Sequence, residues 1–221
     1  MGHASVGQLV AEKAPAGAAS LSTQQVKSFD RYADELVKWN SKVNLTAITK
    51  PREIAIKHFV DSLALLPYLS VTDRLLDIGS GAGLPIIPLK IMLPDVAMVA
   101  VDAVAKKIHF QRHVIRLLSL THIEALHSRV EELHRSHGQQ FTLITSRAFT
   151  RLDRFVELAA PLLAEGGVLI AMKGDHGDRE ITESDEALRA SGFVVSSVVH
   201  YELPDAMGSR NLTFMKRCEG P

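Results

Sequence analysis

An acid and three alternate glycines stand close together in Leu75-Leu76-Asp77-Ile78-Gly79-Ser80-Gly81-Ala82-Gly83-Leu84-Pro85. The chemistry open to them is capture of a nucleotide-like ligand. Glycines let the backbone turn sharply and let a ligand lie against the main chain. The helix expected next, Leu84 to Leu93, offers free N–H groups at its first turn. Spacing narrows the ligand. A dinucleotide fingerprint needs G-x-G-x-x-G, the last glycine giving close packing of helix on strand. Here the pattern is G-x-G-x-G, and Leu84 fills the expected third position. Asp77 would repel a pyrophosphate, yet it accepts from an ammonium, directly or through water. The combination suits the methionine end of S-adenosyl-L-methionine rather than NAD. A tight turn in some other α/β protein is the competing reading.

Other candidates follow from where a sheet holds its ligands, outside the carboxyl ends of the strands. Asp102 closes an apolar strand over 96–101 and can accept from both ribose hydroxyls, or cap the helix that starts at Val104. Ser128-Arg129-Val130-Glu131 follows a short strand over 123–126. There Val130 can pack on the adenine ring, and the backbone or side chain of Glu131 can bond its edge; the alternative is an ordinary helix start. Arg147 ends a strand over 141–145 and faces the transfer zone, unless it pairs with Asp77 or Asp153.

What is missing also informs. The Asn/Asp-Pro-Pro-aromatic run of amino-methylating enzymes is replaced by Ser146-Arg147-Ala148-Phe149. Carbon-5 pyrimidine chemistry needs a nucleophilic cysteine, and Cys218 is the only cysteine, near the C-terminus. The ten histidines show no H-E-x-x-H spacing, so no metal is expected and His58, His109 and His113 read as polar or packing residues. A site with neither base nor nucleophile fits a substrate atom that carries a free lone pair.

The elements that must position these residues read as α/β. Ser22 and Gln25 form a capping box for a helix running to about Trp39, Asn40 to Thr49 reads as a polar linker, and Pro51 starts a second helix. Strands alternating with helices then predict a mostly parallel sheet covered on both faces. Helices are expected over 104–118, 152–164 and 181–190, and strands over 168–172, 193–201 and 212–216. The last two form an antiparallel hairpin.

Composition sets limits. The 221 residues carry 25 basic and 25 acidic side chains, net charge zero, so the totals do not announce a nucleic-acid binder. Distribution says more. From 37 to 57, Lys38, Lys42, Lys50, Arg52 and Lys57 face one acid, Glu53; from 103 to 123, Lys106, Lys107, Arg112 and Arg116 face none. These form either a phosphate-tracking face, with Arg129 and Lys173 joining it, or two solvated helix faces. No apolar run reaches membrane-spanning length, and residues 1–20 lack the pattern of a signal peptide, reading instead as a disordered or tag-like tail. One cysteine excludes an internal disulfide and suits a reducing cytoplasm.

Several segments then fall into one order: Asn44-Leu45-Thr46-Ala47, His58-Phe59-Val60-Asp61-Ser62-Leu63, the run from Asp77 to Pro88, Ser128 to Glu132, Ser146 to Phe149, and Lys173-Gly174. Over residues 21 to 217 the chain resembles the bacterial small-subunit ribosomal RNA guanine-N7 methyltransferases, once named for glucose-inhibited division protein B. The resemblance implies a class I S-adenosylmethionine-dependent methyltransferase (Rossmann-like) domain over 71–221. A helical extension over 21–70 would form one compact unit with it. It implies methylation of the N7 of guanine 527, in the 530 loop of 16S rRNA, on the 30S subunit or its precursor, by a cytoplasmic monomer without a membrane. By the resemblance, cofactor contacts would fall on Gly79, Leu84, Asp102, Ala103, Val104, Val130, Glu131 and Arg147, and the glycine turn itself adds Asp77, Gly81 and Gly83 as candidates. Ile86 departs from the family, which often has glycine there. Arg147 would position the reactants, since N7 loses no proton on methylation and needs no general base. Trp39 or Phe149 would stack the target base. A methyltransferase of small molecules or proteins, and a nucleotide-binding protein without turnover, remain the alternatives.

Overall fold

The computed structural model describes residues 4–15, 20–175 and 177–218. Seven strands among them form one sheet: β1 (Arg74–Ile78), β2 (Ala97–Asp102), β3 (Ile123–His127), β4 (Phe141–Arg147), β5 (Leu163–Lys173), β6 (Phe193–Glu202) and β7 (Ser209–Arg217). Their order is β3-β2-β1-β4-β5-β7-β6. The first five are parallel, and β7 runs antiparallel to both its neighbours. This is the mostly parallel α/β sheet that the alternation predicted, with the antiparallel C-terminal hairpin, and it has the class I methyltransferase-like order that the resemblance implied.

The central strands are buried on both faces, which explains their unbroken apolar runs. Leu75, Met98, Ala100 and Ile170 join one core; Leu76, Ile78, Val99 and Ile144 join the other. The helices are α1 (Val6–Lys13), α2 (Thr23–Val43), α3 (Pro51–Glu53), α4 (Asp61–Leu63), α5 (Ile86–Met92), α6 (Ala105–Leu117), α7 (His134–His137), α8 (Leu152–Ala159) and α9 (Gly177–Ala190). Between α3 and α4 the chain takes a π-helical turn, Ile54–Val60. On the first core Phe59 stacks on Tyr32 at 4.9 Å between centroids and meets Phe29 at 5.3 Å. All three are fully buried, so truncating Phe59 to alanine should cost about 3–5 kcal/mol.

Some boundaries differ from the sequence reading. The capping box at Ser22 and Gln25 is present, but α2 runs on to Val43 and ends at Asn44, in the left-handed region at φ 52°. Asn40 then holds Thr46 by both its amide and its carbonyl, each at 2.9 Å, so the expected linker is tied down. The helix expected to continue past Pro161 stops at Ala159, and β5 starts at Leu163, five residues before the expected strand. Proline lacks the N–H that a helix interior needs. The tail reading does not hold for residues 6–13, which form α1 under a second capping box, Ser5 with Gln8. The rest of that reading, at 1–3 and 16–19, lies outside the described residues. No helix among the described residues is long and apolar enough to cross a membrane.

Candidate active site

The glycine turn sits between β1 and α5, as its sequence required. Gly79 is at φ +69°, and a side chain there would meet the Phe149 ring at 2.2 Å. The turn is clamped from three elements. Asp102 at the end of β2 accepts from the Gly81 amide at 2.9 Å and from the Val104 amide at 2.8 Å. Gln111 of α6 donates to Ser80 Oγ (2.7 Å) and to the Gly81 carbonyl (2.8 Å). The buried Tyr32 hydroxyl of α2 donates to the Ala82 carbonyl at 2.5 Å.

Two cavities open along the carboxyl ends of the strands. One, of about 500 Å³, is lined by Gly79, Gly81, Leu84, His58, Asp61 and Arg147, with Thr46, Lys57, Lys173 and Arg210 around them. The other, of about 420 Å³, is lined by Asp102, Ala103, Val104, Ser128, Arg129, Val130, Glu131 and Phe149. Gly79 and Ala148 belong to both. Thus the predicted cofactor residues from four separate stretches of chain lie along one trough, formed by two cavities that meet at Gly79 and Ala148. Gly83 and Asp77 are the exceptions: both sit behind its wall.

Asp77 is fully buried, and both its carboxylate oxygens lack a hydrogen-bond partner among the described residues. Burial pushes its carboxyl well above the usual range, an effect that the Arg147 charge only partly opposes. A buried, unpartnered carboxyl behind a glycine turn fits a ligand that brings a cationic group. Ile86, the first residue of α5, is buried in the core and lines neither cavity, so its departure from glycine does not narrow the trough.

Arg147 pairs with neither Asp77 nor Asp153. Its Nη1 donates to the Lys57 carbonyl at 3.1 Å and to Asp61 Oδ2 at 3.4 Å, and Nη2 lies 3.4 Å from His58 Nδ1. Asp61 Oδ1 accepts from the Tyr201 hydroxyl at 2.8 Å, and Arg210 Nε lies 3.9 Å away. Thr46 Oγ1 holds His58 Nε2 at 2.8 Å. Burial first, then the Arg147 charge, hold the His58 imidazole down at about 3, so it is neutral near pH 7.

The basic candidates separate. Lys106, Arg116 and Arg129 are exposed and make no ion pair among the described residues. Arg116 stands ten residues beyond Lys106 on α6, about 15 Å along its axis, away from the trough. Arg112 Nε donates to the Ala125 carbonyl at 2.9 Å, which anchors it to β3. Lys173 is a correction. Its ammonium is spent on the Thr150 carbonyl (2.7 Å) and Glu180 (2.8 Å) and is largely buried. Glu131 keeps one of its two expected routes: its side chain pairs outward with Arg154 at 3.0 Å, leaving its backbone for an adenine edge. Trp39 bonds Glu35 and packs between Phe110 and His113, so it is not free to stack a base. Phe149 is exposed and lines the trough.

Comparison with known proteins decides the lineage. A family model described as rRNA small subunit methyltransferase G (GidB) matches residues 25–213. The chain belongs to this family. It is 48% identical over 198 residues to Ribosomal RNA small subunit methyltransferase G of Geobacter sulfurreducens, covering 90% of this chain and 91% of that one. To the protein of the same description from Staphylococcus saprophyticus it is 37% identical, covering 91% and 86%. Among solved structures, a SAM dependent methyltransferase from Aquifex aeolicus superposes with a TM-score of 0.59 at 18% identity, over 78% of this chain and 96% of that one. That likeness bears on the fold alone.

Sequence reasoning assigned no role to Asp61, Tyr201, Arg210 or Thr46. Two of them stood inside quoted segments, Asn44–Ala47 and His58–Leu63. Their signal was there, but only the fold brings Tyr201 of β6 and Arg210 of β7 to Asp61 at the start of α4.

Proposed function

We propose that this protein methylates the N7 of a guanine in the 530 loop of small-subunit ribosomal RNA, at guanine 527, acting as a monomer on the 30S subunit or its precursor. The observation that carries the reading is the state of the two titratable side chains that meet Arg147 in the larger cavity. His58 is held neutral with a very low proton affinity, and both Asp61 oxygens are engaged by Tyr201 and Arg147. Such a site suits an acceptor whose lone pair lies in the ring plane and which loses no proton. An exocyclic amine would need a proton acceptor.

S-adenosylmethionine, when bound, supplies an electrophilic methyl on a cationic sulfur. The chain's own residues do the rest. Gly79, Gly81 and Leu84 provide a close backbone wall, Asp77 a buried carboxyl for a cation, and Asp102 to Val104 with Val130 and Glu131 the nucleoside end. Arg147, fixed by Asp61, Lys57 and His58, presents a planar guanidinium to the acceptor or to the cofactor carboxylate. Catalysis is then mostly positioning. Phe149, at the joint of the two cavities, offers a face for a splayed base, and Lys106 and Arg129 offer charge to the RNA backbone. Calorimetric titration with S-adenosylmethionine and with NAD tests the cofactor assignment. Saturable heat for NAD alone would overturn it.

A further inference from the structure

The first helix lies outside the family match, yet it packs on the very segment that meets Arg147. We propose that α1 is a positioning element of the active site: docked on α2 and on the π-helical turn, it holds Lys57 and His58 where they meet the Arg147 guanidinium. The proposal rests on the reading of Arg147 given above.

Three anchors fix α1. At its start, Asp30 of α2 accepts from Ser5 Oγ at 3.0 Å and from the Gly7 amide at 2.7 Å. At its middle, Val10 is fully buried in the core that includes Phe29, Ile54 and Phe59. At its end, Lys13 reaches Asp205 at 3.6 Å, and Asp205 also takes Arg52 at 2.6 Å, two residues before the π-helical turn begins. A π-helical register is rare and needs support from its neighbours. Here its first two residues, Ile54 and Ala55, are fully buried, and its later residues supply both the carbonyl and the imidazole that Arg147 contacts. Loosening α1 therefore removes support from the wall of the cavity that the π-helical turn builds.

Gly7 gives a direct probe. A methyl group there would sit 2.1 Å from the Val26 carbonyl oxygen, so Gly7→Ala blocks docking while favouring the helix itself. Asp30→Asn weakens the anchor at unchanged volume and serves if the first variant fails to fold. In the full-length protein, the His58 titration followed by NMR should rise by roughly one unit or more from its low value. Single-turnover methyl transfer to 30S subunits should fall on the order of 10-fold, S-adenosylmethionine affinity should stay near the parent's, and Asp30→Glu should recover part of the rate. If folded variants keep the parent titration and rate and lose only thermal stability, α1 is a stabiliser and the proposal is wrong. A His58 shift without loss of rate also overturns it. If the parent transfers no methyl group, the functional reading has failed separately, and the clamp on His58 stands or falls on its titration alone.

Discussion

Arg147 Nη1 lies 3.4 Å from Asp61 Oδ2, joining the end of β4 to the helical extension across the mouth of the larger cavity. Asp61 is nearly buried and is shared with Tyr201 and Arg210. Asp61→Asn keeps the shape and an acceptor for Tyr201 but strips the countercharge from two guanidinium groups. It should cost on the order of 2 kcal/mol, read as a lower urea midpoint at unchanged slope, and should slow transfer because Arg147 is no longer held. A variant with parental stability would show that the pair is not a structural one.

Arg147→Ala should fold, yet lose on the order of 100-fold in single-turnover rate at saturating S-adenosylmethionine, the effect of misplacing reactants by about 1 Å. The loss should be nearly constant from roughly pH 6 to 9, because arginine stays protonated and no titrating base is removed. The same variant should raise the His58 pKa above its present value of about 3, since the Arg147 charge is one of the two causes that lower it. A parental rate with reduced thermal stability would reduce Arg147 to a structural ion pair.

Two buried groups should pull stability in opposite directions with pH. His58 titrates near 3 in the folded chain and near 6.5 unfolded. Below about pH 6.5 the unfolded state alone takes up the proton, so stability falls as pH drops, by about 1.4 kcal/mol per unit at most. Asp77 is raised. Above its unfolded value the unfolded state alone ionises, so its contribution is lost as pH rises. Asp77→Asn should therefore exceed the parent in stability at pH 7 in the absence of cofactor, with the gap closing toward pH 4. His58→Gln should flatten the decline between roughly pH 6 and 4. Denaturation curves across pH check both; an Asp77→Asn protein less stable than the parent at pH 7 would contradict the buried, unpartnered carboxyl.

The order of sheet and helices was legible because hydrophobic runs and glycine punctuation are local signals. The trough was legible for the same reason: Asp77, the glycines and Asp102 announce themselves within a strand and its turn. What escaped needs distance. Asp61 and Tyr201 are 140 residues apart, and Lys173 looked like a free cation until α9 brought Glu180 beside it. Residues 6–13 looked like a tail because one capping box and one buried valine mean little until Phe29 and Ile54 are seen around them.

Lys106→Gln and Arg129→Gln should each reduce the log–log salt dependence of 30S binding by about one unit if they meet phosphates. Lys173→Gln should leave that slope alone and lower stability, because its ammonium is bonded inside the fold. Equal slopes for all three variants and the parent would reduce Lys106 and Arg129 to a solvated surface.

The most direct measurement is methyl transfer from methyl-labelled S-adenosylmethionine to purified 30S subunits that lack the modification, followed by mass spectrometry of the digested RNA. The account predicts one methyl group per subunit, carried as N7-methylguanine in the 530 loop and lost in Arg147→Ala. No transfer, or a methyl group on an exocyclic amine or a ring carbon, would contradict it.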